Sequence, residues 1–421
     1  MNFKYITTTP AINGRIKEYC EDFIVSEIGV NYVTEVKYLP NKLLQEIDWD
    51  VVFAKKENNE DFLIVTMEKN NLATTNALSQ MARFLHTSKK RIGYAGLKDK
   101  RALTSQRISI YQPDKERLKK FYFKTIKIYD PIWGRDRVDI GDLLENKFIV
   151  TIRKIKDTSI PEIETIVKDC LAQVQEKGLI NYFGEQRFGG SREITHRVGK
   201  LLMQNKYKEA ILMYLTETNP LESQELREAR TSLAADLDFG KHASSFPAQS
   251  GYESAMLNHL ARNPEDFLGA IKVLPKSVQY LFIHAYQSYL FNELINKRLE
   301  LGYGLERIDG DRVVNGKVQL QLFGFESTFS EGVAGELEKE LFKKENLTFD
   351  MFYNKDYSVL STKGEYRDIK TEARDLKLIE VSDDDRIGNE GLKKLIISFT
   401  LSKGNYATVL LRELIKQENI G

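Results

Sequence analysis

The stretch "GYAGLKDKRALTSQRISI" (residues 93–110) has strand-like ends and a charged middle. Its apolar residues predict strands at Ile92–Ala95 and Arg107–Tyr111, joined by a loop over residues 96–106. The loop carries one carboxylate, Asp99, whereas every other charged side chain in and beside it is a cation. The cations are Lys89, Lys90, Arg91, Lys98, Lys100, Arg101 and Arg107. An acid in such surroundings is either a counter-charge or a chemical reagent.

The segments that flank this loop mix strand and helix patterns. The strand-like runs are Phe23–Glu27, Phe62–Met67 and Phe148–Arg153. The runs with helical spacing are residues 74–86, for which Thr74 or Thr75 is the expected cap, and Ile163–Lys177. This mixture predicts an α+β fold.

The middle of the chain has a different sequence pattern. From about Leu201 to Asp368 helix signals dominate, and Lys276–Leu301 predicts a long helix with one apolar face. A second domain is the natural interpretation. Strand character returns in "LIISFTLSKGNYATVLLREL" (residues 395–414), so we expect the C-terminal segment to complete the first domain.

Composition sets limits on function. The 421 residues contain 62 Lys and Arg against 61 Asp and Glu, so the overall charge gives no argument for a nucleic-acid partner and only local clusters can. Two distant cysteines disfavour disulfides and a zinc site and predict a reducing, cytoplasmic setting. The five histidines lack metal-ligand spacing, and no signal peptide or membrane-length apolar run occurs. We therefore expect a soluble protein without a metal.

Asp99 has two interpretations. Nearby ammonium and guanidinium groups favour the charged form of the carboxylate, which suits a nucleophile better than a proton donor. The same cations could bind phosphates, as chemistry on a nucleic acid requires. The alternative is a loop aspartate that forms a turn or a salt bridge.

A second stretch, "NYFGEQRFGG" (residues 181–190), crowds glycines, amides and aromatic rings together with Arg187. Phe183 or Phe188 could stack on an unstacked RNA base, while Asn181 or Gln186 hydrogen-bonds its edge. A turn with core aromatics explains the composition equally well.

Taken together and in this order, these stretches resemble the TruD family of pseudouridine synthases from end to end. The catalytic signature G-L-K-D-[KR]-x-A-x-T-x-Q matches residues 96–106, and N-Y-F-G-x-Q-R-F-G matches residues 181–189. An N-terminal K-x-x-x-E-D-F-x-V-x-E matches residues 17–27. "AYQSYLFN" (285–292) and "SFTLSKGNYATVLLRE" (398–413) resemble two further family segments.

The resemblance implies roles for individual residues. Asp99 would be the catalytic aspartate, with Lys17 as the basic residue close to it. Phe23, Asn181 and Phe399 match the family positions that hold the target uracil. Further residues of the matched motifs are expected to contact RNA through their charge, hydrogen bonds or stacking. They are Lys98, Lys100, Arg101, Arg187, Gln186 and Phe183. The implied reaction is an isomerisation: the glycosidic bond of a uridine breaks, the base rotates, and it reattaches through carbon 5, with no cofactor.

The resemblance also implies an architecture and a substrate. A pseudouridine synthase domain, with a mixed and largely antiparallel sheet and flanking helices, would comprise residues 1–206 and 374–421, interrupted by an α/β insertion at 207–373. The implied partner is tRNA, modified at position 13, with other RNAs left open and no obligate protein partner. The rival function is a non-catalytic RNA-binding protein or RNA chaperone on the same scaffold. A methyltransferase would need a glycine-rich cofactor turn, which the sequence lacks.

Overall fold

The structure, a computed structural model, describes residues 3–40, 46–248 and 250–417. It divides into two compact units. The first, here called the sheet unit, comprises Tyr5–Leu179 and Glu372–Gly421, and the second, the helical unit, comprises Met1–Lys4 and Ile180–Thr371. The main segment of the helical unit is Ile180–Thr371, whereas the sequence analysis placed an insertion from residue 207 to residue 373. The assignment of catalytic and insertion domains stays a prediction.

The strands are short to medium in length. In chain order they are β1 (Phe23–Ile28), β2 (Phe62–Asn70), β3 (Ile92–Tyr94), β4 (Leu103–Tyr111), β5 (Ile126–Gly134), β6 (Glu145–Ile155), β7 (Leu179–Ile180), β8 (Arg312–Val314), β9 (Lys317–Leu322), β10 (Glu365–Asp368), β11 (Lys370–Thr371), β12 (Ala373–Asp383) and β13 (Lys393–Ser402).

The helices lie in both units. In chain order they are α1 (Trp49–Ala54), α2 (Thr74–Phe84), α3 (Lys115–Lys119), α4 (Ile160–Lys177), α5 (Thr195–Met203), α6 (Tyr207–Thr216), α7 (Gln224–Asp236), α8 (Phe239–His242), α9 (Gly251–Arg262), α10 (Phe267–Lys272), α11 (Lys276–Glu300), α12 (Gly332–Glu345) and α13 (Ala407–Ile415). Short 3-10 helices include Cys20–Asp22 and Glu185–Phe188.

One mixed sheet organises the sheet unit. Its strands follow the order β12-β13-β6-β1-β4-β2-β5, with β3 also paired to β4. Only β1 and β4 pair in parallel among these strands, through Ile24↔Leu103 to Ser26↔Ser105, and the other pairings are antiparallel. The predicted α+β class with a largely antiparallel sheet is therefore confirmed. Residues 395–414 lie in the sheet unit, where β13 pairs with β6.

Two apolar cores cover the two halves of this sheet. In one, α4 and α13 pack with β1, β6 and β13, burying residues such as Val167, Ile397 and Leu410. In the other, α2 packs with β2, β4 and β5, burying residues such as Leu78 and Ile108. The i, i+4, i+7 spacing of apolar residues in α4 explains its buried face, and the positive φ of 76° at Gly178 ends that helix.

The sequence misplaces one boundary that matters for function. Strand β4 begins at Leu103, within the stretch predicted as loop. Thr104, Ser105 and Gln106 look like loop residues because they are polar, but all three are fully buried, and β4 pairs with β1 on one side and β2 on the other. The connection that carries Asp99 is therefore shorter than predicted, residues 95–102. We call it the Asp99 loop.

The helical unit centres on α11, which confirms the predicted long helix. Fourteen of its residues are buried, including Phe282, Leu290 and Phe291. A three-stranded sheet in the order β10-β9-β8 belongs to the same unit. None of the described helices in either unit is both long and apolar enough to cross a membrane.

Candidate active site

The Asp99 loop is held by three polar side chains of the surrounding sheet and helix. Gln106 Nε2 donates to the Gly96 carbonyl at 3.0 Å, and the Thr74 hydroxyl accepts from the Lys98 amide at 3.0 Å. Lys69 Nζ donates to the Asp99 carbonyl at 2.7 Å. Because these partners come from β4, α2 and β2, the loop is fixed along its length.

Thr74 differs from its predicted role. The sequence analysis expected Thr74 or Thr75 to cap α2, but the N-cap is Ala73, with no side-chain cap. The Thr74 hydroxyl instead contacts the backbone of Lys98, at its amide and, at 3.4 Å, at its carbonyl. The first turn of α2 therefore positions the Asp99 loop.

Lys17 and Asp99 form the central pair of the site. Lys17 Nζ lies 3.5 Å from Asp99 Oδ2, and the two side chains are 11% and 28% exposed. The same ammonium lies 4.2 Å from the centroid of the Phe23 ring, a cation–π contact. The backbone of Lys17 has a φ of 57°, a conformation that residues other than glycine rarely adopt. It marks a local constraint on the chain. The structure therefore presents a partly exposed carboxylate opposite a fixed cation.

Asp22 and Arg153 support the segment between Lys17 and β1. The Asp22 carboxylate accepts from the Tyr19 amide at 2.9 Å and from Arg153 Nε at 2.7 Å. Arg153 Nη1 also contacts Asp384 at 2.7 Å. Burial raises the pKa of Asp22, although the Arg153 hydrogen bond opposes this effect. This buried network fixes the turn between Lys17 and β1.

The position of Lys98 differs from the predicted RNA contact. It was expected to contact RNA, but its ammonium lies 2.6 Å from Glu27 Oε2, and the two side chains are 3% and 0% exposed. Glu27 Oε1 also accepts from the Tyr32 hydroxyl at 2.9 Å and from the Arg107 amide at 3.1 Å. In this structure Lys98 is therefore directed into the sheet and is not available to a phosphate.

Lys100 and Arg101 remain on the surface as expected. Both residues are exposed. Arg101 Nη2 donates to the Glu18 carbonyl at 3.1 Å, which leaves other donors of its guanidinium for a ligand. Two cations directly after Asp99 in the chain could therefore meet a polyanion.

The aromatic residues predicted to hold uracil belong to the core of the sheet unit. Phe23 and Phe399 are 1% and 0% exposed. Phe148 lies between them, edge to face with Phe23 at 5.9 Å and stacked on Phe399 at 5.1 Å between ring centroids. A base could reach the Phe399 ring only after neighbouring groups move. Their role in uracil binding stays a prediction.

The second motif belongs to the helical unit. Asn181 is 7% exposed, and its side chain donates through Nδ2 to the Asp368 carbonyl at 2.8 Å and accepts from Arg367 Nη2 at 2.5 Å. Phe183 is buried, with the Arg367 guanidinium 4.2 Å from its ring centroid. Asn292 in α11 fixes its backbone by donating to the Phe183 carbonyl and accepting from its amide, both at 3.0 Å.

Gln186 and Arg187 lie in the 3-10 helix Glu185–Phe188 of the same motif. Gln186 is exposed, whereas Arg187 is half-buried and donates from Nε to the Ser288 hydroxyl at 3.2 Å. Gly189, with a φ of 100°, ends this turn in a conformation that favours glycine. The second motif thus combines a tight turn, aromatic rings in the core and two polar side chains that reach the surface.

Sequence reasoning missed Lys69 and the partner of Lys98. Lys69 is fully buried, and burial lowers its pKa to about 8 even though the Asp99 charge opposes this effect. The available signal was a charged Glu68-Lys69 pair at the end of an otherwise apolar strand. Among the residues that the structure describes, no group of three or more His, Cys, Asp or Glu could hold a metal ion.

Comparison with known proteins gives matches over nearly the whole chain. The family model described as tRNA pseudouridine synthase D (TruD) matches residues 2–320 and 315–414. A protein of Methanosarcina acetivorans named "Probable tRNA pseudouridine synthase D" is 34% identical and the match covers 98% of this chain and 95% of its own. A protein of Methanocaldococcus jannaschii named "Probable tRNA pseudouridine synthase D 1" is 31% identical over 100% of both chains.

A solved structure agrees with these sequence matches. The crystal structure of a tRNA pseudouridine synthase D (TruD) from Methanosarcina mazei superposes with a TM-score of 0.76 and 31% identity. The superposition covers 98% of this chain and 96% of the other.

Proposed function

Since the chain belongs to the TruD family of tRNA pseudouridine synthases, we propose that Asp99 is the catalytic group with which it isomerises uridine 13 of tRNA to pseudouridine. The observation that supports this role is the Lys17–Asp99 pair at 3.5 Å on a fixed and partly exposed loop. Family membership gives no support to the non-catalytic alternative.

The chemistry requires a carboxylate but no redox step. The bond between N1 of uracil and C1′ of ribose breaks, a new bond forms between C5 and C1′, the proton on C5 leaves, and N1 gains a proton. Asp99 can act as nucleophile or base because Lys17 supplies the opposite charge beside it. The fixed loop holds the carboxylate in one position, so little reorganisation is needed during the reaction.

The target uridine must leave its stack before Asp99 can reach it. Flipping a base costs a few kcal/mol, and aromatic stacking returns about 1–3 kcal/mol per base. Phe23 and Phe399 are the proposed contacts of the uracil because they match the family positions that hold it. Their rings are buried, so the groups that cover them must move before a base can reach them. For Asn181 the assignment likewise rests on the motif match.

Lys100 and Arg101 are the proposed phosphate contacts of the Asp99 loop, with Arg187, Gln186 and Phe183 as the proposed contacts of the second motif. Phosphate contacts position an RNA without reading its sequence. The tRNA substrate also implies that the enzyme acts in the cytoplasm.

Replacing Lys100 and Arg101 by Gln should weaken tRNA binding and make it less sensitive to salt. Each lost phosphate contact lowers the slope of log affinity against log salt concentration by about 1. Filter binding of radiolabelled tRNA at several salt concentrations measures this slope. Lys168→Gln on the exposed face of α4 is the matched control and should leave it unchanged. An unchanged slope in the double variant would place the phosphates elsewhere.

The position of the modified uridine can be tested directly. Transcripts of tRNA labelled with tritium at C5 of uridine should release one tritium per molecule when the new C5–C1′ bond forms. A transcript with cytidine at position 13 should release none. Release that persists with this transcript would move the target to another uridine, and no release from either would contradict the isomerase activity.

A further inference from the structure

Lys69 is a buried cation in direct contact with the backbone of Asp99. It lies in β2, opposite Thr104 of β4 and Ile126 of β5, with its residue fully buried. Its Nζ donates to the Asp99 carbonyl at 2.7 Å. A lysine without contact to solvent is unusual, because burial of an ammonium is unfavourable unless it meets a partner of opposite charge or polarity.

We infer that Lys69 is a positioning residue of the isomerisation, whose charged ammonium fixes the Asp99 backbone and, through it, the carboxylate. The inference rests on the proposed function. Two cations thus hold Asp99 at different atoms: Lys17 at the carboxylate, 3.5 Å away, and Lys69 at the main-chain carbonyl. Displacement of a reacting group by about 1 Å can lower a rate by about 10²-fold.

The charges around Lys69 determine when it is protonated. Burial lowers its pKa to about 8, the negative charges of Asp99 and of ionised Cys20 raise it, and the positive charge of Lys98 lowers it. Lys98 is itself paired with Glu27, and the facing side chains of Thr104 and Ile126 are uncharged. Lys69 is therefore mostly charged at neutral pH and loses its proton as the pH rises through about 8.

The same shift predicts how Lys69 affects stability. Its ordinary pKa is 10.5, so between about pH 8 and 10.5 the unfolded chain binds a proton that the folded chain does not. Stability from this group therefore increases as the pH rises through that range, and the charged form at neutral pH disfavours folding. Removing the ammonium should then lower activity without lowering stability, which is the opposite of a purely structural role.

The test compares Lys69→Met and Lys69→Arg with the wild type, using tritium release to obtain kcat and KM and thermal unfolding to obtain Tm. We expect kcat of K69M to fall by about 10²-fold at pH 7, with KM unchanged and Tm not lowered. The wild type should lose kcat with a midpoint near pH 8, and this alkaline decline should be absent from K69M. Because arginine stays charged, K69R should keep more activity than K69M and also lack the decline.

Lys127→Met in β5 is the matched control, since it removes a lysine from the neighbouring strand outside the site, and it should change neither kcat nor its pH profile. Wild-type kcat in K69M, or a lower Tm together with an unchanged alkaline decline, would overturn the inference. A wild-type protein that releases no tritium at any pH would instead contradict the proposed function.

Discussion

Asp99→Asn should abolish pseudouridine formation while leaving tRNA binding intact. The amide has nearly the shape of the carboxylate and keeps the backbone contact of Asp99 to Lys69, but it lacks the charge that faces Lys17 and is a poor nucleophile and base. Loss of a catalytic carboxylate lowers kcat on the order of 10⁴-fold. Tritium release and filter binding, measured on the same preparation, separate catalysis from binding.

Asp130→Asn is the matched control for this variant. Asp130 also pairs with a lysine, Lys37 at 3.2 Å, but on the exposed surface of the sheet unit. Its substitution should leave both measurements unchanged. Full activity in D99N would assign Asp99 to a structural pair, and would reopen the non-catalytic interpretation of the Asp99 loop.

Glu27→Leu should strongly destabilise the sheet unit. The substitution leaves the buried ammonium of Lys98 without its carboxylate partner and also removes the acceptor of the Tyr32 hydroxyl and the Arg107 amide. Breaking one side of a buried ion pair costs about 3–5 kcal/mol. Urea unfolding should show this loss in the free energy of unfolding, together with lower activity because Lys98 adjoins Asp99.

The double variant Glu27→Leu with Lys98→Met tests the origin of that loss. An apolar pair of similar volume often replaces a buried ion pair with little change in stability. We therefore expect the double variant to regain much of the stability that the single variant loses. If it is as unstable as Glu27→Leu alone, the unpaired ammonium is not the cause.

Much of the sheet unit could be predicted from periodicity. The predicted strands in β1, β2 and β6 and the predicted helices α2 and α4 are confirmed, because each buries a regular apolar face. The start of β4 could not be predicted in this way. Its polar residues are buried because β1 and β2 pair on both sides of it, and that pairing joins segments distant in the chain.

In the candidate site, the motifs predicted that Lys17 lies close to Asp99 but not which charges support the pair. Asp99 and Lys17 were found through a motif and do lie together. The pairing of Lys98 with Glu27 brings together residues 71 positions apart, and local sequence gives no measure of whether a lysine is buried. Similarly, the charged Glu68-Lys69 pair stands out in an apolar strand, but only the fold shows that Lys69 contacts the backbone of Asp99.

The position of β13 in the sheet has a consequence for biosynthesis. This strand lies between β12 and β6, and its side chains Leu395, Ile397 and Phe399 complete the core that α4 also covers. During translation β6 and α4 leave the ribosome long before β13 is made, so one edge of the nascent sheet waits unpaired while more than two hundred intervening residues emerge. Until β13 is made, the nascent chain therefore exposes the edge of β6 that β13 later covers, and such an unpaired edge can pair with another chain.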